Sequence, residues 1–193
     1  MDLREILERA AAGIPLEVEI GCGNGHFLAE YCEKNRERFF FGIELKAKRC
    51  LKARRKLEQR ALANAAVLQG RAEEILKQLP EGCLDRVHIY FPDPWPKTKH
   101  RKRRFTTLAN LELLHRALKP GGTILFATDF YDYYLQTKTL FILHRGLELS
   151  EDRPPAEIFN SIYGQKLQDQ GRRIYLAAAR KKVSGSDNAT GTG

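Results

Sequence analysis

Asp93 stands between two prolines in the stretch Pro92-Asp93-Pro94-Trp95-Pro96, and six cations follow it: Lys97, Lys99, Arg101, Lys102, Arg103 and Arg104. Proline fixes φ and restricts the residue before it, so a carboxylate in this setting is expected to be held extended. A pre-set acid then sits at the mouth of a patch suited to a polyanion, with no acid among the cations. His100, inside the run, is a binding candidate for the same reason. Trp95 suits either a base to stack on or a hydrophobic pin for the turn.

A second constellation lies near the N-terminus. Glu19-x-Gly21-x-Gly23-x-Gly25 reads as a glycine-rich turn between a strand and a helix, where the backbone turns tightly and comes close to a ligand. A dinucleotide fingerprint would be GxGxxG; here the third glycine comes one residue early and an acid precedes the first. That acid repels a pyrophosphate but suits a cation such as the aminoacyl end of S-adenosylmethionine. Glu44, at the tip of the next strand, is placed to accept both hydroxyls of an adenosine ribose. The plainer alternatives are a ligand-free turn, and a Glu44 paired with Lys46 or Lys48.

The elements that must position these groups alternate. Strands are expected at Val18–Ile20, Phe39–Leu45, Ala66–Leu68, Leu84–Phe91 and Thr123–Thr128. Helices are expected at His26–Lys34, Ala47–Ala61, Ala72–Leu79, from a cap at Thr106 or Thr107 to a stop at Pro120-Gly121-Gly122, and at Tyr131–His144. Leu147–Glu151 and Arg172–Ala179 read as a closing β-hairpin. The alternation implies an α/β fold: one Rossmann-like domain over 1–183, its mostly parallel sheet covered by helices on both faces and ending in an antiparallel hairpin. Ligands of such sheets bind beyond the carboxyl ends of the strands. Gly21–Gly25, Glu44, Asp93 and Asp129 all fall there. The small polar tail 184–193 is expected to be disordered.

Composition narrows the partners. The 193 residues are 42% hydrophobic, which suits one domain with a sizeable core. The formal charge is +9, and removing the six cations of Lys97–Arg104 leaves +3, so the basicity is local, as expected of a patch that binds a polyanion. The Lys46–Arg60 stretch adds eight basic residues against one acid, Glu58: either a solvated helix face or a second phosphate-contacting strip. No apolar run is long enough to cross a bilayer, and the charged amphipathic start is not a signal peptide, so a cytoplasmic protein away from membranes is expected. Cys22, Cys32, Cys50 and Cys83 show no CxxC pairing and no histidine at ligand spacing, so no metal is expected.

LEVEIGCGNGHFL, FFGIEL, FPDPWPKTKHRKRRF, LKPGGTILFATD and GRRIYLAAARK together resemble the bacterial tRNA (guanine-N7)-methyltransferases, S-adenosylmethionine-dependent class I enzymes. The resemblance runs from about Leu16 to Lys181. The PDPW turn with its cationic run is its specific part. The resemblance implies methyl transfer to N7 of a guanine in tRNA, guanine 46 of the variable loop. It places Glu19, Gly21, Gly23, Glu44, Arg71, Ala72 and Asp93 on the methyl donor, with Asp93 as the catalytic acid. Lys97 and Asp129 would contact the substrate, and Lys99, His100, Arg101, Lys102, Arg103 and Arg104 the tRNA.

Two positions depart from the family pattern. Arg71 stands where an Asp or Asn usually reads the adenine edge, and arginine has no acceptor for the adenine amine. Ser161-Ile162-Tyr163-Gly164 stands in place of Thr-Lys-Phe-Glu, keeping a substrate-side hydroxyl at Ser161 but losing the Lys and Glu. Two other readings remain open at this point: a methyltransferase acting on an amino group of an RNA or DNA base, and a non-catalytic RNA-binding protein on the same fold. The sequence leaves monomer and homodimer equally open.

Overall fold

Uninterrupted apolar strands form the middle of the molecule. In the computed structural model, which describes residues 2–160 and 162–183, every residue of β1 (Leu16–Ile20) and β2 (Phe39–Glu44) is buried, as expected of parallel strands covered on both faces. The expectations for Ser161 and for the tail 184–193 lie outside the described residues.

The remaining elements, in chain order with those two, are α1 (Leu3–Ala11), α2 (His26–Lys34), α3 (Ala47–Gln59), β3 (Ala65–Gln69), α4 (Ala72–Gln78), β4 (Leu84–Tyr90), α5 (Leu108–Ala117), β5 (Leu118–Thr128), α6 (Tyr131–Leu143), β6 (Leu147–Leu149), α7 (Ile162–Asp169) and β7 (Tyr175–Lys181). Short 3-10 turns occupy Thr98–Arg103 and Ala156–Asn160.

The seven strands form one sheet in the order β3-β2-β1-β4-β5-β7-β6. β1 pairs in parallel with β2 on one side and β4 on the other. The chain moves outward from β1 to β3, then crosses back to β4, so the switch point lies between β1 and β4. Gly21 and Phe91 leave the sheet there. One hydrophobic layer joins the sheet to α1, α4, α5 and α6 through Ile6, Leu76, Leu111 and Phe141. The other joins it to α2, α3 and the Ala156–Asn160 turn through Leu28, Ala53 and Ile158.

Two expectations are corrected. α5 does end before Pro120-Gly121-Gly122, but those residues belong to β5, which begins at Leu118 and pairs with Leu84 of β4 across an irregularity in register. The closing pair β6–β7 is antiparallel but is not a hairpin. A 3-10 turn and α7 separate its strands, and β7 inserts between β5 and β6. Of the two capping candidates, Thr107 caps α5, accepting from Asn110 N at 3.3 Å, while Thr106 is buried against Thr137, 2.8 Å between hydroxyls.

Candidate active site

Two clefts open at the carboxyl edge of the sheet and share a wall. The first, of about 540 Å³, is lined by Glu19, Gly23, Asn24, Phe27, Ile158 and Lys166 among others. The second, of about 320 Å³, is lined by Glu44, Gly70, Arg71, Ala72 and Arg103 among others. Gly21, Arg49, Tyr90, Phe91 and Asp93 border both. The groups singled out at strands one, two and four are therefore brought together, with Asp93 on the partition.

The glycines divide their tasks. Gly21 (φ +77°) and Gly23 (φ +56°) occupy left-handed conformations and face open space on the side where a Cβ would project. Gly25 (φ +69°) precedes α2, and a Cβ there would lie 2.8 Å from Ala53 Cβ. The third glycine thus serves helix packing, while the first two leave room for a ligand.

Glu19 carries an unfilled acceptor. Its side chain is 5% exposed, and its Oε2 has no hydrogen-bond partner among the described residues. Burial, with the neighbouring charge of Glu44 adding to it, pushes its pKa up to about 8. A buried polar atom left unsatisfied costs about 1–3 kcal/mol, which an incoming cation would recover. Glu44 is better satisfied. One of its oxygens accepts from Gly23 N at 3.1 Å and the other from Lys46 N at 2.8 Å. A carboxylate has about four acceptor sites, so lone pairs remain for two hydroxyls. A cationic amine beside Glu19 and a ribose beside Glu44 match the two ends of S-adenosylmethionine, and the residues present fit it. The Arg71 side chain leans to Glu73, 3.7 Å between charged atoms.

Backbone strain brackets the catalytic candidate. Phe91 (φ +47°) and Trp95 (φ +43°) are in the left-handed region on either side of Asp93, at a cost of order 1–3 kcal/mol each for non-glycine residues. Trp95 is half-buried, with the Arg103 guanidinium 4.8 Å from its ring centroid and the His100 ring 5.8 Å away. Behind the partition, Tyr90 is anchored by buried polar groups. Burial alone would push the Glu17 carboxyl up, but the hydrogen bond from His88, with Arg86 and Arg38, holds it at about 2. Burial pushes His88 below its ordinary value. A carboxylate only accepts, so His88 Nε2 donates to Glu17 at 2.7 Å, and Nδ1 accepts from the Tyr90 hydroxyl at 2.7 Å.

The cationic run divides. Lys97, Lys99, Arg101, Lys102 and Arg103 are exposed and His100 is half-buried. Arg101 meets Asp132 at 2.7 Å. Arg104 does not fit the expected tRNA contact: it is 2% exposed, and its guanidinium donates to Pro94 O at 2.8 Å, Gln136 Oε1 at 2.6 Å and Asp132 Oδ2 at 2.7 Å. It fastens the PDPW turn to α6. Asp129, just past the end of β5, meets Arg172 at 3.1 Å.

Tyr90, Arg49 and Lys166 on the cleft walls are absent from the sequence-based set. Tyr90 has the pattern of a strand interior, and Arg49 is one of many cations on α3. No sequence signal points to Lys166, because nothing in the local pattern announces α7. Among the described residues Glu112, His115 and His144 cluster closely enough to hold an ion. However, His144 Nδ1 accepts from Gly146 N at 3.2 Å. That leaves the proton of a neutral ring on Nε2, the atom 3.4 Å from Glu112, and disfavours a metal ligand there.

A family model described as "Putative methyltransferase" matches residues 14–177. The tRNA (guanine-N(7)-)-methyltransferase of Geobacter metallireducens is 37% identical over 178 residues, which cover 89% of this chain and 84% of that one. The chain belongs to the tRNA (guanine-N7-)-methyltransferase family. A second member, from Nitrosococcus oceani, is 36% identical over 185 residues, covering 95% of this chain and 77% of the other. Among solved structures, the 30S ribosomal A1408 methyltransferase from an uncultured bacterium shares the fold, with a TM-score of 0.68 at 20% identity over 94% of both chains. These matches bear out the α/β class I methyltransferase fold and the S-adenosylmethionine dependence.

A Cβ at Gly164 would collide with Ile158 O and lie 2.8 Å from Phe159 Cα. α7 therefore sits directly on the 3-10 turn, with no room for a side chain at Gly164 unless the backbone shifts.

Proposed function

We propose that this chain transfers the methyl group of S-adenosylmethionine to N7 of a guanine in tRNA, in the cytoplasm. The observation that carries the reading is the shared wall at Asp93. One side meets the clefts holding Glu19 and Glu44, and the next residues along the chain include the exposed cations Lys97, Lys99 and Lys102. When bound, S-adenosylmethionine supplies an electrophilic methyl on a sulfonium.

Guanine N7 has an in-plane lone pair and needs no base to attack. The protein's contribution is alignment and management of charge. Glu19 accepts from the donor's ammonium, Glu44 holds the ribose hydroxyls, and the backbone of Arg71 and Ala72 borders the adenine. Positive charge moves from sulfur to the purine during transfer, and the Asp93 carboxylate stabilises it at its destination. At an effective dielectric of 20, two charges 4 Å apart interact by about 4 kcal/mol, enough for a hundredfold or greater effect on rate. Lys97 and Asp129 border the guanine, and the exposed cations hold phosphates. The target base must be unstacked first, at a cost of a few kcal/mol that backbone contacts offset.

The test is chemical. Bulk tRNA is incubated with labelled donor, digested, and the labelled nucleoside identified. 7-Methylguanosine is expected. Label on an exocyclic amine would instead make the chain an amino-group methyltransferase, and no calorimetric binding of S-adenosylmethionine would leave only an RNA-binding role.

A further inference from the structure

Three tyrosines, one exposed and two half-buried, cluster beside the substrate-side acid. Tyr131 and Tyr134 lie one turn apart on α6, and Tyr175 begins β7, paired with Thr128 at the carboxyl end of β5. Their ring centroids are 6.0 Å (Tyr131–Tyr134), 5.5 Å (Tyr134–Tyr175) and 5.1 Å (Tyr131–Tyr175) apart. The outermost, Tyr131, is 53% exposed. Cations flank the rings: the Arg173 guanidinium lies 5.3 Å from the Tyr175 centroid and Lys138 Nζ 5.9 Å from that of Tyr134.

The place of this cluster matters as much as its composition. Tyr131 follows Asp129 by two residues, and Asp132, next in the chain, holds Arg101 of the cationic turn at 2.7 Å. Along the chain Tyr131 thus stands between the acid after β5 and the aspartate that holds the basic run. Tyr133 fills the core at 0% exposure and Tyr134, half-buried, packs against it, so the ring left open to solvent is that of Tyr131, backed by the half-buried rings of Tyr134 and Tyr175.

We propose that Tyr131, Tyr134 and Tyr175 form a stacking platform for an unpaired nucleobase of the RNA substrate, next to the guanine being methylated, with Arg173 and Lys138 taking the adjoining phosphates. Aromatic faces flanked by cations are the usual means of holding single-stranded nucleotides, because every base has a π-face and every linkage a charge. The charge complementarity selects a nucleotide over an apolar peptide or a neutral partner. A platform at this position catches a neighbour of the target base once the local stack opens, and so offsets part of the cost of exposing the target. The inference rests on the RNA-methyltransferase reading above.

The test compares Tyr131→Ala and Tyr131→Phe with the wild-type chain. Dissociation constants are measured for fluorescein-labelled oligoadenylate and for bulk tRNA across a salt series, with S-adenosylmethionine affinity as a control. Removing the partner of one stacked base weakens binding between about fivefold and a hundredfold. Tyr131→Ala is expected to fall in that range with both RNAs, with an unchanged salt slope because every phosphate keeps its cation, and with donor affinity intact. Tyr131→Phe is expected to bind like wild type. The platform is overturned if Tyr131→Ala binds both RNAs as tightly as wild type, or if Tyr131→Phe is as weak as Tyr131→Ala. If the wild-type chain binds neither RNA, the RNA reading itself has failed, which is a separate result.

Discussion

Arg104 Nη2 lies 2.7 Å from Asp132 Oδ2 with the arginine side chain wholly buried and the aspartate partly exposed. The Arg104 guanidinium also lies 4.8 Å from the Tyr133 ring centroid, and through Pro94 O it reaches the turn carrying Asp93. A residue that sequence reading assigns to RNA phosphates is a clamp between the PDPW turn and α6. Arg104→Ala leaves Pro94 O and Gln136 Oε1 without this donor in a partly buried setting and is expected to cost about 3 kcal/mol in chemical denaturation. A loss under about 0.5 kcal/mol would return Arg104 to the surface run.

The exposed members of the run behave differently. Lys99→Ala with Lys102→Ala is expected to leave stability within about 0.5 kcal/mol and to weaken tRNA binding. The slope of log affinity against log salt should shrink by roughly 0.7–0.9 for each phosphate that no longer has a lysine beside it. An unchanged slope would assign those lysines to another task.

The contrast between Arg104 and these lysines marks where sequence reading stops. Alternating strands and helices reveal the parallel sheet and the switch point, because burial on both faces writes continuous apolar runs such as Phe39–Ile43. Glu19, Glu44 and Asp93 are legible because each sits at a strand end that the topology sends to one edge. Six closely spaced cations carry no mark of which one turns inward. That depends on Asp132 and Gln136, some thirty residues later, and on the docking of α6. Lys166 and Tyr175 depend on α7 and on the insertion of β7 between β5 and β6. These are long-range choices with no local periodicity to announce them.

Glu19 makes stability depend on pH with a definite sign. Its folded pKa is about 8 against an ordinary 4.5. Between those values the native state holds a proton that the unfolded chain has released, so stability falls as pH rises from about 5 to 8, by up to about 1.4 kcal/mol per pH unit. Glu19→Gln should flatten that part of the profile in thermal melts and should weaken S-adenosylmethionine binding. A profile as steep in Glu19→Gln as in wild type would place the titration elsewhere.

The glycine turn offers a pair of contrasting variants. Gly25→Ala drives a Cβ into Ala53 at a left-handed residue, and a loss of about 2–3 kcal/mol is expected from overpacking and backbone strain together. Gly23→Ala meets open space, so only the smaller backbone cost of about 1–2 kcal/mol applies, but donor affinity should fall because the cleft floor is narrowed. Equal stability losses, with donor affinity intact in Gly23→Ala, would contradict this division.

The proposed role of Asp93, between the two clefts and the exposed cations, is tested most directly by single-turnover methyl transfer in Asp93→Ala, with tRNA and donor saturating. The rate constant is expected to fall at least about a hundredfold while the tRNA dissociation constant stays within a few fold of wild type. A rate constant near that of wild type would contradict a role for this carboxylate in the transfer.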